Sequence, residues 1–296
     1  MPTPKLHATP ADPRLLRCDA WSELPWLIHG FSTRRGGVST AYGGHALNLG
    51  YTKHDTHAAV DQNRVLLLQS LGAVNGGDQA WPLVRLRQIH SDVIHRVDRL
   101  PEHVLAGDGL VTEAPGLVLA VQTADCLPVL LVDSRRKAIG AFHAGWRGTL
   151  ARIVEKGVGA MRLHFGSQPK DLRAAIGPGI SSCCYAVGEE VVEQFHSQFP
   201  YAESLLREVT ESGVVRERYP LLFMTARAPG HSDAGRRIYL DLREANRRQL
   251  LDAGLRRESI SWLDLCTACR TDLFFSHRAE KGVTGRQMAV IGIRAL

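Results

Sequence analysis

Three short apolar segments rich in β-branched residues follow one another closely: Leu117 to Gln122, Pro128 to Asp133 and Ala138 to Phe142. They narrow the possible fold more than any other feature of the chain. Runs of this length without polar alternation read as strands buried on both faces. Leu83 to His90, Val93 to Val97, Leu172 to Ile176 and Met288 to Ile293 extend the pattern. Helical signals lie between the strands. Asp55 can cap a helix that stops at Gly72. Thr149 can cap one that carries Leu150, Val154, Val158, Met161 and Phe165 at helical spacing, and a third runs from near Asp241 to Gly254. Interleaving of this kind predicts an α/β (α+β) architecture, mixed β-sheets flanked by helices. Ser204 to Arg237 follows neither period and reads as a long irregular excursion, a lid or a mobile loop.

At 296 residues the chain can build a core without covalent staples. It has no repeat and no Pro/Ser-rich linker, so a single domain is expected. Lys and Arg number 36 against 30 Asp and Glu, a net charge of +6. No block of five like charges occurs, which reads as a solvated surface and not as a nucleic-acid tail. No run of about 18 apolar residues is present to span a membrane. The first seventeen residues lack the apolar segment of a secretory signal, and a cytoplasmic location is expected. The six cysteines, at 18, 126, 183, 184, 266 and 269, fit reduced thiols. Cys266 and Cys269 form one CxxC with no second copy to complete a zinc ribbon.

Chemistry concentrates where strands end. Gln88-Ile89-His90-Ser91, Thr123-Ala124-Asp125-Cys126-Leu127-Pro128 and Phe142-His143-Ala144-Gly145-Trp146-Arg147-Gly148 each put a ligating or nucleophilic side chain beside a predicted strand terminus. Two imidazoles and a thiolate, His90, Cys126 and His143, form a set that suits Zn²⁺ and leaves a fourth position open. Singly, each has a plainer explanation: a buried Cys is a small hydrophobe and a His a satisfied polar group. The helix start after His143 offers backbone N–H groups to an anion. Arg147 adds a fork for phosphate or carboxylate, or is an ordinary surface residue. Thr33 to Ser39 and Leu47-Asn48-Leu49-Gly50 form a polar, Gly-rich stretch in which Arg34 and Asn48 approach a ligand or simply make a turn. No nucleotide-binding glycine fingerprint is present.

Taken together these stretches resemble the laccase-domain proteins, also called the purine nucleoside phosphorylase or peptidoglycan editing factor family. Gly107-Asp108-Gly109, Ile176-Gly177-Pro178-Gly179, Cys183-Cys184-Tyr185, Tyr239-Leu240-Asp241-Leu242, Phe274-Phe275-Ser276-His277-Arg278 and Thr284-Gly285-Arg286 extend the match from about Gly30 to the C-terminus. The resemblance implies one catalytic domain over 30–296, with 1–29 as an extension packed on it. The implied fold is the laccase-domain fold, similar to the cytotoxic necrotizing factor-like cysteine hydrolases. It also implies zinc held by His90, Cys126 and His143, and substrate contact by Arg34, with Asn48, Asp125 and Arg147 at motif positions. The implied partners are small molecules, a purine nucleoside and phosphate, and neither nucleic acid nor membrane. The implied reactions are phosphorolysis of adenosine, inosine, guanosine and 5′-methylthioadenosine, and deamination of adenosine; the proton shuttle for deamination is unassigned, and Asp125, beside Cys126, is the candidate. A second reading makes Cys126 the nucleophile of an amide hydrolase editing peptidoglycan precursors, with His90 or His143 as base. The thirteen histidines include no H-x-H pair, which argues against a multicopper oxidase, although Cu²⁺ can enter the same three-donor site.

Overall fold

The computed structural model describes residues 12–76, 79–210 and 236–294. The chain divides into two compact units, Met1–Ile180 with Leu242–Leu296, and Ser181–Asp241.

The larger unit holds two sheets. A six-stranded sheet runs in the order β14 (Ile260–Trp262), β10 (Leu172–Ile176), β8 (Leu127–Asp133), β9 (Ala138–Ala144), β6 (Gly109–Thr112) and β5 (Ile94–Arg96). A five-stranded sheet runs β1 (Leu15–Leu16), β2 (Leu27–Ser32), β15 (Gln287–Ile293), β7 (Val118–Thr123) and β4 (Leu83–Val84). Their facing sides share one core. Phe31, Leu119, Val121, Ala289 and Ile291 of one sheet lie in the same buried cluster as Leu110, Leu130, Val132, Ile139, Ala141 and Ala175 of the other. Burying each such aliphatic side chain contributes roughly 1.5–3 kcal/mol. The extension before β2 joins this core through Leu16, Cys18, Trp21 and Trp26.

Helices cover both outer faces. α1 (His57–Leu71) lays Leu67, Leu68 and Leu71 against Ile28, Val118, Ala120 and Val290. Its cap is Thr56, which accepts a bond from the Ala59 N–H at 3.2 Å, one residue beyond the expected Asp55. The helix ends at Gly72 in the left-handed region. On the other face lie α2 (Trp146–Leu150), α3 (Ile153–Phe165) and α5 (Leu242–Asp252). The sequence period predicts one helix from Thr149 to Phe165, but the chain breaks at Arg152, whose φ is 60°. The cause is local: the Thr149 carbonyl accepts the Gln249 side-chain amide at 2.8 Å, and its hydroxyl accepts the Asn246 amide at 3.0 Å. A backbone oxygen needed for a continuous helix is thus shared with α5.

β8 and β9 are buried along all seven residues each, as their continuous apolar runs predict. The expected strand Leu83 to His90 is cut to Leu83–Val84. Gln88 turns its amide onto the Gln122 backbone, donating to its oxygen at 2.8 Å and accepting from its nitrogen at 2.7 Å. A side chain thereby replaces the ladder, and the backbone leaves the sheet before His90.

In the smaller unit, β11 (Ala186–Val187), β13 (Arg236–Leu240) and β12 (Leu206–Thr210) form an antiparallel sheet. α4 (Glu189–Gln198) buries Val191, Val192 and Phe195. The stretch Ser204 to Arg237, expected to be irregular, therefore begins with the end of a 3-10 turn (Ala202–Leu205) followed by a strand and ends in another strand, while 211–235 lie outside the described residues.

Candidate metal centre

Strand register builds the site. β9 is the middle of three neighbours, paired antiparallel with β8 (Leu127↔Ala144) and with β6 (Gly109↔Phe142). One step beyond each pairing, Cys126 falls opposite Gly145 and Asp108 falls opposite His143. His143 therefore stands on the central strand with a thiol on one side and a carboxylate on the other. His90 arrives from the loop leading to β5, in the left-handed region at φ 58°.

The side-chain donors of His90, Cys126 and His143 all lie within 4.8 Å of one another. The two imidazoles meet edge to face with centroids 5.0 Å apart. His143 is buried, Cys126 half-buried and His90 exposed, so the cluster opens to solvent on one side. His143 Nδ1 donates to Asp108 Oδ1 at 2.8 Å, which leaves Nε2 for the thiol side.

Charges in the cluster reinforce one another. Burial works to raise the Cys126 thiol, but the facing His143 and His90 together outweigh it and bring the thiol down to about 6. Burial works to lower His143, yet the Cys126 thiolate and Asp108 lift it to about 9. Burial likewise opposes ionisation of Asp108, and the bonds from His143 and Ser91 hold it at about 2. A thiolate and two imidazoles, one with a fixed tautomer, form a three-donor group able to hold a metal ion.

The remaining expected site residues are placed differently. Asp125, at φ 89°, accepts from Thr267 Oγ1 at 2.6 Å, Ser276 Oγ at 2.7 Å and the Arg278 N–H at 2.7 Å, so both carboxylate oxygens are engaged. Asn48 is fully buried and bonds to Gly50, Asp55 and the Arg286 N–H through both ends of its amide. Arg34 donates to the carbonyls of Thr271, Phe274 and Tyr42 and pairs with Glu280 at 2.9 Å. Arg147 is exposed and stacks on the Trp146 ring at 4.3 Å.

Arg34 also lines a cavity of about 700 Å³ with Tyr42, His45, Thr271, Asp272 and Glu280. Glu280 Oε2 accepts from the Ser276 N–H at 2.9 Å, and Ser276 bonds Asp125, so a polar chain runs from this cavity to the residue before Cys126. Asp108, Ser91 and Glu280 join the site without a role that the sequence pattern assigns them, although Gly107-Asp108-Gly109 and His90-Ser91 both stand out in it. An acid flanked by glycines just before a strand was the available signal.

A family model described as multi-copper polyphenol oxidoreductase laccase matches residues 28–294. The purine nucleoside phosphorylase of Deinococcus radiodurans is 38% identical over 267 residues, covering 90% of this chain and 88% of that protein. Adenosine deaminase RL5, from an unknown prokaryotic organism, is 34% identical over 263 residues, covering 85% and 88%. The crystal structure of YlmD from Geobacillus stearothermophilus superposes with a TM-score of 0.79 at 31% identity, covering 99% of this chain and 100% of that one.

Proposed function

Because the chain belongs to the multi-copper polyphenol oxidoreductase laccase family, we propose that it is a zinc-dependent purine nucleoside enzyme. At family level it is a nucleoside-processing enzyme, as relatives named purine nucleoside phosphorylase and adenosine deaminase indicate. The specific reading is phosphorolysis of adenosine, inosine, guanosine and 5′-methylthioadenosine to base and ribose-1-phosphate, together with hydrolytic deamination of adenosine. The observation that carries it is the convergence of His90, Cys126 and His143 on one solvent-open point. When bound there, zinc supplies Lewis-acid and water-activating chemistry; copper competes for the same donors.

The protein's own groups do the rest. Asp108 holds the His143 Nδ1 proton and so directs Nε2 toward the centre. Arg147, exposed three residues after the end of β9, offers its guanidinium to phosphate. Arg34 shapes the cavity of about 700 Å³, a volume in the range that small ligands occupy. Asp125 and Asn48 act from beneath, by holding the loops that present Cys126 and Arg34. The partners are then a purine nucleoside and phosphate. No helix among the described residues is long and apolar enough to cross a membrane.

One observation favours a second reading: Asp108, His143 and Cys126 lie in the order of an acid, a base and a thiol nucleophile. A Cys126-dependent amide hydrolase editing peptidoglycan precursors would use that line without metal.

Mass-spectrometric analysis of products from adenosine and inosine, with and without phosphate, tests the proposal beside a His90→Ala control. Purine base with ribose-1-phosphate, or inosine from adenosine, lost in the control and after chelation, is expected. Absence of any product, with little bound zinc and rapid alkylation of Cys126 by iodoacetamide, would transfer the assignment to the hydrolase.

A further inference from the structure

One carboxylate touches both histidine-bearing segments of the centre. Asp108 is fully buried, and its two oxygens face different ways. Oδ1 takes the His143 Nδ1 proton at 2.8 Å. Oδ2 takes three donors: the Ser91 N–H at 2.6 Å, the Ser91 hydroxyl at 2.8 Å and the Ile89 N–H at 3.2 Å. Ile89 and Ser91 are the residues on either side of His90. The backbone repeats the arrangement, since the His143 N–H donates to the Asp108 carbonyl at 2.8 Å and the Asp108 N–H to the Val93 carbonyl at 2.9 Å.

The His90 segment needs such an anchor. His90 is exposed, lies outside any strand and sits at φ 58°, a conformation that costs a non-glycine residue roughly 1–2 kcal/mol. What holds the turn is the pair of N–H bonds from its flanks to Oδ2. We infer that Asp108 is a positioning residue for both imidazoles at once, orienting His143 through its ring and His90 through the backbone on either side of it.

The inference rests on the reading of this cluster as a zinc site. It also accounts for the residue type: four donors converge on Asp108, and a carboxylate accepts from all of them. An amide of the same shape has one accepting oxygen and turns two donors toward donors, so it serves one segment and repels the other.

The test is zinc affinity, measured on the full chain by competition with a chromogenic chelator, together with the absorption bands of the Co²⁺-loaded protein. Asp108→Asn is expected to weaken zinc binding at least tenfold, within the ~10–100-fold range of lost outer-shell partners. It should also shift the cobalt ligand-field bands, which a distant packing defect would not move. Ser91→Ala, which deletes one of the three donors to Oδ2, is expected to weaken zinc by a smaller factor. In a His90→Ala background the Asp108→Asn loss should shrink, because the share acting through His90 is already gone.

A folded Asp108→Asn protein with zinc affinity within twofold of wild type and unshifted cobalt bands would overturn the inference. So would an undiminished loss in the His90→Ala background. If Asp108→Asn fails to fold, Ser91→Ala decides, and unchanged affinity there overturns the link to His90. Wild-type protein that binds zinc but releases no nucleoside product would refute the proposed function and leave the Asp108 result standing. Wild-type protein that binds neither ion overturns both.

Discussion

A β-carbon at Gly145 would stand 2.8 Å from the Cys126 sulfur and 3.4 Å from the His90 ring. The closeness follows from the β8–β9 register, which sets residue 145 opposite residue 126. Gly145 itself has φ −72° and ψ 176°, a conformation that alanine adopts without strain. Gly145→Ala is therefore expected to fold with a melting temperature within a few degrees of wild type while binding zinc at least tenfold more weakly. Thermal melts of the metal-free protein and chelator competition check the two halves separately. Unchanged zinc affinity would mean that the thiol moves aside at no cost.

Arg34 is expected to carry stability as well as any contact with substrate. Its guanidinium satisfies three backbone carbonyls and Glu280 and lies 4.7 Å from the centre of the Phe275 ring. Lysine keeps the charge but not the fork, so most of these bonds are lost. Arg34→Lys should lower unfolding stability by about 2 kcal/mol, roughly the value of one or two bonds to a charged group. A urea titration reads this directly. A raised KM with an unmoved urea midpoint would show that the side chain serves substrate alone.

Much of the fold was legible because burial on both faces leaves a continuous apolar run. Pro128 to Asp133, Ala138 to Phe142 and Leu172 to Ile176 lie within one or two residues of β8, β9 and β10. β2 and β6 escaped notice because His29, Gly30 and Gly109 interrupt their apolar character. His29 is buried all the same, because the Cys18 N–H donates to its Nε2 at 2.9 Å. The three candidate ligands were legible from residue type and strand ends. The distinction between residues at the centre and residues bracing it was not, since Asn48 and Asp125 earn their polar partners from segments more than a hundred positions away, at Thr267, Ser276 and Arg286.

The same His29 makes stability depend on pH. Burial and the nearby Arg17 charge push it down to about 3 from an ordinary value near 6.5. The folded protein therefore binds fewer protons than the unfolded chain between those values, and stability falls as pH drops. The contribution is complete above about 6.5 and is lost by ~1.4 kcal/mol for each unit below it. Gln at this position keeps an acceptor for the Cys18 N–H and does not titrate. Between pH 7 and pH 5 the wild type should lose about 2 kcal/mol more than His29→Gln in urea unfolding. Parallel pH profiles for the two proteins would rule His29 out as the source.

Two glycines one turn-half apart on α3 should respond to alanine in opposite directions. Gly159 has open space where its β-carbon would go, so Gly159→Ala gains helix propensity and should stabilise the protein by about 1 kcal/mol. Gly157 is buried, and a β-carbon there would meet the Phe142 ring at 2.6 Å. That ring is confined on its other sides as well, because β-carbons at Gly109 and Gly140 would approach it to 2.9 Å and 2.7 Å. With nowhere for the ring to turn, Gly157→Ala must push α3 or β9, and overpacking of this kind costs ~1–3 kcal/mol, more than the propensity gain. Phe142 directly precedes His143, so displacement of β9 should also weaken zinc binding, whereas Gly159→Ala should leave it unaltered. Urea midpoints and chelator competition on the two variants measure both effects. Equal stabilisation by the two alanines would show that the Phe142 contact is slack.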